Sequence, residues 1–128
     1  SCIPKIGSYL IDMKIRIKGN SVRYRLTRSE VARLGEDGYL QEATNFASQT
    51  LHYSIERTDS DQLRVDFLQQ NIVVYMPQAM IDEWVQTDRI TFEDKSGPVR
   101  ILMEKDFVCL DHTEEDQSDN YPNPNKTC

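Results

Sequence analysis

The stretch Lys14-Ile15-Arg16-Ile17-Lys18-Gly19-Asn20-Ser21-Val22-Arg23-Tyr24-Arg25-Leu26-Thr27 decides the fold. Apolar and polar residues alternate along it with period two, the mark of strands that bury one face. Gly19-Asn20 stands at its centre, and Gly-Asn between two such runs reads as a tight hairpin turn. A two-residue turn sets the register: Ile17 opposite Val22, Ile15 opposite Tyr24, Met13 opposite Leu26. The other face is then wholly basic, with Arg16 opposite Arg23 and Lys14 opposite Arg25. Like charges directly across a ladder destabilise it, so a negative group is expected on that face.

Downstream, Thr27-Arg28-Ser29-Glu30 is a capping box, in which a Thr hydroxyl starts a helix and a Glu three residues on reaches back to it. Val31, Ala32 and Leu34 give this helix a short apolar stripe over about two turns, and Gly35 is expected to close it. Asp37-Gly38 makes a turn. Residues 39–46 and 50–57 read as two more strands, and Thr58-Asp59-Ser60-Asp61 as a polar break.

A shift of fifty then lays the second half on the first without a gap. Ile15 falls on Val65, Ile17 on Phe67, Val22 on Ile72, Tyr24 on Val74 and Leu26 on Met76. Val31 falls on Ile81, Leu34 on Trp84, Leu40 on Ile90 and Leu51 on Ile101. Thr27 and Pro77 open the two helices, and Pro suits a first helical turn. Each unit is strand, strand, short helix, strand, strand. A unit this small cannot bury a core alone, whereas two packed together can. The expectation is a mainly β fold: a small barrel from two β-β-α-β-β repeats, at about 13–58 and 63–108, within one domain over 13–110.

Strand, Lys18-Gly19-Asn20-Ser21, strand, Leu26-Thr27 and a short helix ending Leu34-Gly35 resemble the swapped-hairpin unit of AbrB-like transition regulators and MazE-type antitoxins. Met76-Pro77 resembles the Ile-Pro step by which that family enters its helix. Two identical chains normally build the family's barrel; this sequence resembles both copies fused, over roughly 13–107. The second copy departs from the pattern, with Gln69-Gln70-Asn71 at the turn and Arg64 as its one hairpin base. The resemblance implies a pseudo-dimeric monomer that contacts DNA through basic groups of the hairpin. The opening also resembles uncharacterised bacterial proteins that begin Met-Lys-Ile-Arg-Ile-Lys-Gly-Asn-Ser, which adds no function.

Charge is unevenly spread. The 128 residues carry a net charge of -6, and a chain made only for nucleic acid is usually basic. Yet residues 14–33 hold seven Lys or Arg against one acid, and residues 104–119 hold seven acids against one Lys. The candidate site is the basic face of Lys14, Arg16, Lys18, Arg23 and Arg25, able to grip duplex DNA phosphates, with Asn20 at the turn tip to reach a base edge. The alternative is a solvated strand face neutralised by Glu42, Glu56 or the chain's own acidic tail. A protein-interaction module follows from that alternative, in which basic face and tail bind a protein partner or each other.

Other chemistry has little support. Cys2, Cys109 and Cys128 include no Cys-x-x-Cys pair, which fits a reducing cytoplasm better than a disulfide scaffold. Cys109, Asp111, His112 and Cys128 are metal-ligand types without a recognised spacing; no cofactor is expected. His52 lies on an expected strand with no nucleophile at triad spacing, so an enzyme is not expected. Trp84, on the helix stripe with Met80 and Ile81, is expected in the core rather than as an exposed anchor. The longest apolar run, Ile72-Val73-Val74-Tyr75-Met76, is too short to span a membrane. Residues 1–12 lack the apolar core of a signal peptide. Met13 is placed to be a natural start, with 1–12 then an expression remnant or an N-terminal extension. Asn125-Lys126-Thr127 matches a glycosylation acceptor by chance. Residues 111–128, acidic and rich in Pro and Asn, carry too few apolar groups to order themselves and read as a tail.

Overall fold

The computed structural model describes residues 12–106 and Tyr121. In chain order the elements are β1 (Lys14–Lys18), β2 (Ser21–Leu26), α1 (Arg28–Asp37), β3 (Tyr39–Asn45) and β4 (Thr50–Thr58), then β5 (Arg64–Leu68), β6 (Asn71–Pro77), α2 (Gln78–Gln86), β7 (Thr91–Ser96) and β8 (Val99–Lys105). The fold is mainly β. The strands form two four-stranded sheets, sheet A in the order β1-β2-β8-β7 and sheet B in the order β3-β4-β6-β5.

The opening hairpin has the register its turn dictates: Ile17 opposite Val22, Ile15 opposite Tyr24, Arg16 opposite Arg23 and Lys14 opposite Arg25. Gly19 takes the left-handed conformation at φ 55°, which a residue without Cβ adopts freely. Each sheet then combines hairpins from both repeats. β2 runs parallel to β8 of the second repeat, and β4 runs parallel to β6. Parallel neighbours start at the same end, so all four hairpin turns gather at one end of the molecule. The backbone ties them there: Arg100 N donates to Asn20 O, and His52 N to Gln70 O. Both helices follow the far ends of β2 and β6 and pack together at the opposite end.

Between the sheets, the inner faces share one core that includes Tyr24, Leu26, Ile55, Val74, Met76, Ile101 and Met103, all buried. The two core tyrosines meet edge to face at 6.2 Å. Their hydroxyls find partners, as buried phenols must: Tyr24 Oη donates to Ile72 O and Tyr53 Oη to Met13 O. Among the described residues no backbone ladder joins the two sheets; they close by side-chain packing, with β5 beside β7. Trp84 lies wholly in the core, its ring edge-on to Phe92 and its Nε1 donating to Ile90 O at 3.1 Å.

Two readings of the sequence change here. Gly35 does not close the first helix, which runs to Asp37; Gly38 closes it at φ 71°, its N–H on Leu34 O. Gly35 lies where the helices touch, and a Cβ on it would meet Val85 Cγ2 at 2.8 Å. The repeat also does not run without gaps. Leu40 pairs with Ile55, and Phe92 pairs with Met103. Leu40 is therefore equivalent to Phe92, not Ile90, and Tyr53, not Leu51, to Ile101. The link from helix to third strand is two residues longer in the second repeat, and its last hairpin turn is shorter. Both offsets are even, so the inward-outward alternation survives and a gapless alignment still matches apolar with apolar.

Candidate nucleic-acid interface

The outward face of sheet A can be read as a grid from its ladders. Nearest the hairpin end, Lys18, Ser21, Arg100 and Lys95 lie side by side across the four strands. The middle row is Arg16, Arg23, Leu102 and Glu93, and the third is Lys14, Arg25, Glu104 and Thr91. Seven cations thus face out with two carboxylates, on a chain whose net charge is -6. At ordinary strand spacing the grid covers about 14 Å in each direction. Leu102 is buried in its middle.

All five basic residues anticipated on the hairpin lie on this face, and Asn20 lies exposed in the turn beside it. The sequence pattern missed Lys95 and Arg100, which reach the face only because β8 docks beside β2. The counter-ions were also misplaced. Glu42 and Glu56 belong to sheet B and do not neutralise the hairpin. Glu104 on β8 does, with Oε1 3.2 Å from Arg25 Nε and 3.7 Å from Arg23 Nε. Asp106 lies 3.1 Å from Lys14 Nζ, and Glu93 pairs with Arg100, whose guanidinium holds that carboxyl below its ordinary value. Arg16, Lys18 and Lys95 form no ion pair among the described residues.

Sheet B supplies an internal control, because each position of the grid has a repeat equivalent there. Its outward rows are Leu68, Asn71, His52 and Ala43; then Asp66, Val73, Ser54 and Gln41; then Arg64, Tyr75, Glu56 and Tyr39. One cation faces two acids. Where sheet A sets Lys14 against Arg25, sheet B stacks the Arg64 guanidinium over the Tyr75 ring at 4.7 Å, an attractive contact. The fold therefore does not need cations at these positions. Like charges opposite each other weaken a ladder, and three carboxylates offset this on sheet A only in part.

One carboxylate serves the fold instead. Glu30 is buried; its Oε1 accepts Thr27 N at 2.9 Å and its Oε2 accepts Asp12 N. It thereby closes the capping box and fixes the start of the domain in one step. Burial holds its carboxyl above the ordinary value despite these donors. Among the described residues no three metal-ligating side chains cluster; Cys109, Asp111, His112 and Cys128 lie outside those residues, as do nearly all of the acidic tail and the 1–11 extension. No described helix is long and apolar enough to cross a membrane.

Comparison with known proteins adds a family without a function. No curated protein matches the chain, and no solved structure matches it. A profile described as a family of unknown function, DUF7009, matches residues 13–125, beginning at Met13 one residue before β1. Since that match spans most of the chain, the protein belongs to the family of unknown function DUF7009.

Proposed function

We propose that the protein is a non-enzymatic, AbrB-like DNA-binding regulator that holds duplex phosphates on the outward face of sheet A. One observation carries the reading: seven cations gather on this face, while the repeat-equivalent face of sheet B carries one. Phosphate contacts supply most sequence-independent DNA affinity, and they position a protein without reading bases. Arg16, Lys18 and Lys95 are the first phosphate ligands, since no carboxylate among the described residues has to be displaced from them. Arg23 and Arg25 share Glu104 and become available as a phosphate replaces it. A major groove of about 12 Å admits a two-stranded ribbon; with the β1-β2 ribbon there, the turn brings Asn20 to the base edges and the rest of the face meets the flanking phosphates. The exchange of hairpins between the repeats supports the resemblance to swapped-hairpin regulators.

The test is fluorescence anisotropy of the full chain with a labelled mixed-sequence duplex over a salt series. Affinity is expected to fall steeply with salt, and Arg16→Ala with Arg23→Ala to lower the log–log slope by about two. No binding at low salt removes the reading.

A second reading, a module whose basic face meets acidic protein, is favoured by Tyr121. Its N–H donates to Asp106 O, and its ring lies 4.9 Å from Lys105 Nζ and 5.7 Å from the Arg28 guanidinium. Tyr121 thus lies beside Asp106, which pairs with Lys14 of the cationic face.

A further inference from the structure

At the hairpin end the two sheets splay around an apolar cleft of about 620 Å³. Its walls come as repeat-related pairs: Ile17 with Phe67, Val22 with Ile72, and Leu51 with Val99. The cleft therefore straddles the pseudo-twofold relation of the fold. A second hollow of about 430 Å³ shares Leu51 and Phe67 with it and is bounded by Phe46. Phe67 and Phe46 are 65% and 60% exposed, and Ile17 is 55% exposed. Core packing accounts for none of this exposure. Phe67 is presented by the β5-β6 turn, where Gln69 and Gln70 hold positive φ, at 47° and 68°, as a two-residue hairpin turn requires.

Among the described residues the cleft is lined by one acid, Asp66, and three cations flank its lip. Lys18 follows Ile17, Lys95 precedes Ser96, and Arg100 follows Val99; Ile17, Ser96 and Val99 all line the cleft. Successive strand residues point to opposite faces. The first cationic row of sheet A therefore runs along the lip, one residue out of phase with the apolar wall. On the opposite lip Gln70 Nε2 donates to Gln49 Oε1, offering amide groups at the height of the exposed rings. Phosphate-binding cations beside accessible aromatic faces are the requirements of a single strand: the backbone tracks the charge and the bases stack.

We infer that the hairpin end takes unpaired bases of single-stranded DNA, stacked on Phe67 and Phe46, with Lys18, Lys95 and Arg100 on the flanking phosphates. The inference rests on the reading that the sheet A face binds DNA phosphates, and narrows the preferred ligand to a strand whose bases are free to leave the stack. A paired duplex reaches the face alone; a single strand reaches the face and the cleft.

The experiment compares three fluorescent probes on the full chain at low salt: a twelve-nucleotide oligothymidylate, an abasic strand of equal length, and a twelve-base-pair duplex. The oligothymidylate is expected to bind about tenfold tighter than the abasic strand for each base stacked. Phe67→Ala and Phe46→Ala, both at exposed side chains, are expected to remove that advantage without changing the salt slope or duplex affinity. Lys18→Ala is expected to lower the salt slope for all three probes. Equal binding of oligothymidylate and abasic strand, with duplex binding intact, overturns the stacking inference and leaves the phosphate-binding face standing. Failure of all three probes to bind overturns both.

Discussion

If sheet A's outward face binds phosphate, Glu104 competes for Arg23 and Arg25, and Glu104→Gln tests that role in two directions at once. Its carboxylate sits 3.2 Å from Arg25 Nε and 3.7 Å from Arg23 Nε. Arg25 is nearly half exposed and Glu104 mostly covered, so each pair belongs to the solvent-screened class worth about 0.2–1 kcal/mol. Losing both contacts is expected to cost about 1 kcal/mol, or about 4 °C in Tm for a domain of this size. DNA affinity should move the other way. The face loses one of its two carboxylates, and a phosphate no longer competes with that charge for the two guanidinium groups. One added charge-assisted contact of about 1.5 kcal/mol raises affinity at low salt about tenfold. It should also steepen the salt slope by about 0.9. Thermal melts followed by circular dichroism give the first quantity, and duplex anisotropy across a salt series the second. A normally folded variant with unchanged or weaker DNA binding and an unchanged slope would refute the reasoning.

The other predictions concern the fold. Because the two repeats complete a core within one chain, light scattering at micromolar concentration should give a monomer; a dimer whose subunits unfold on separating overturns the fusion of repeats. Deleting residues 111–128 removes only Tyr121 from the described structure, and with it the hydrogen bond to Asp106 and the ring contacts to Lys105 and Arg28. Tm should fall by a few degrees with an unchanged circular dichroism spectrum, and loss of cooperative melting contradicts this. Gly35→Ala gains helix propensity of about 1 kcal/mol but drives a Cβ to 2.8 Å from Val85 Cγ2, an overpacking cost of about 1–3 kcal/mol. Tm should drop, and adding Val85→Ala should restore it. Glu30→Gln puts an amide NH₂ where Oε2 accepts Asp12 N, and should cost about 1–3 kcal/mol at neutral pH. Since burial raises the Glu30 pKa, folding takes up a proton there. Its contribution is full below the ordinary value of 4.5 and declines as pH rises through the folded value. The variant's Tm should lose that component of pH dependence just above pH 4.5.

Local chemistry made the hairpin legible. Gly19-Asn20 fixed the turn, alternation fixed the faces, and the Arg16–Arg23 and Lys14–Arg25 pairs followed from register alone. The helix caps were half legible: Thr27 and Glu30 bond as their spacing requires, but Gly35 and Gly38 are both plausible stops. The left-handed turn at Gly38 and the packing of Val85 against Gly35 separate them. Pairing across the repeats was hidden, because nothing local in β2 announces that β8 will lie parallel beside it. Lys95, Arg100 and the neutralising Glu104 were missed for that reason. The one available signal was the repeat itself: with hairpins exchanged between the halves, the fourth strand of one unit must flank the second strand of the other. The even offsets concealed the shifted alignment, since a slip by two leaves every side chain on its own face.

The central claim is that sheet A's outward face, not its repeat equivalent, holds nucleic-acid phosphates. The most direct measurement is backbone amide chemical-shift mapping by NMR of the full chain titrated with a short mixed-sequence duplex at low salt. The account predicts fast-exchange shifts concentrated on β1, β2, β8 and the Gly19-Asn20 turn, led by Arg16, Lys18 and Arg100 and reversed by added salt. Shifts centred on β4 and β6 of sheet B, or an unchanged spectrum at saturating duplex, would contradict it.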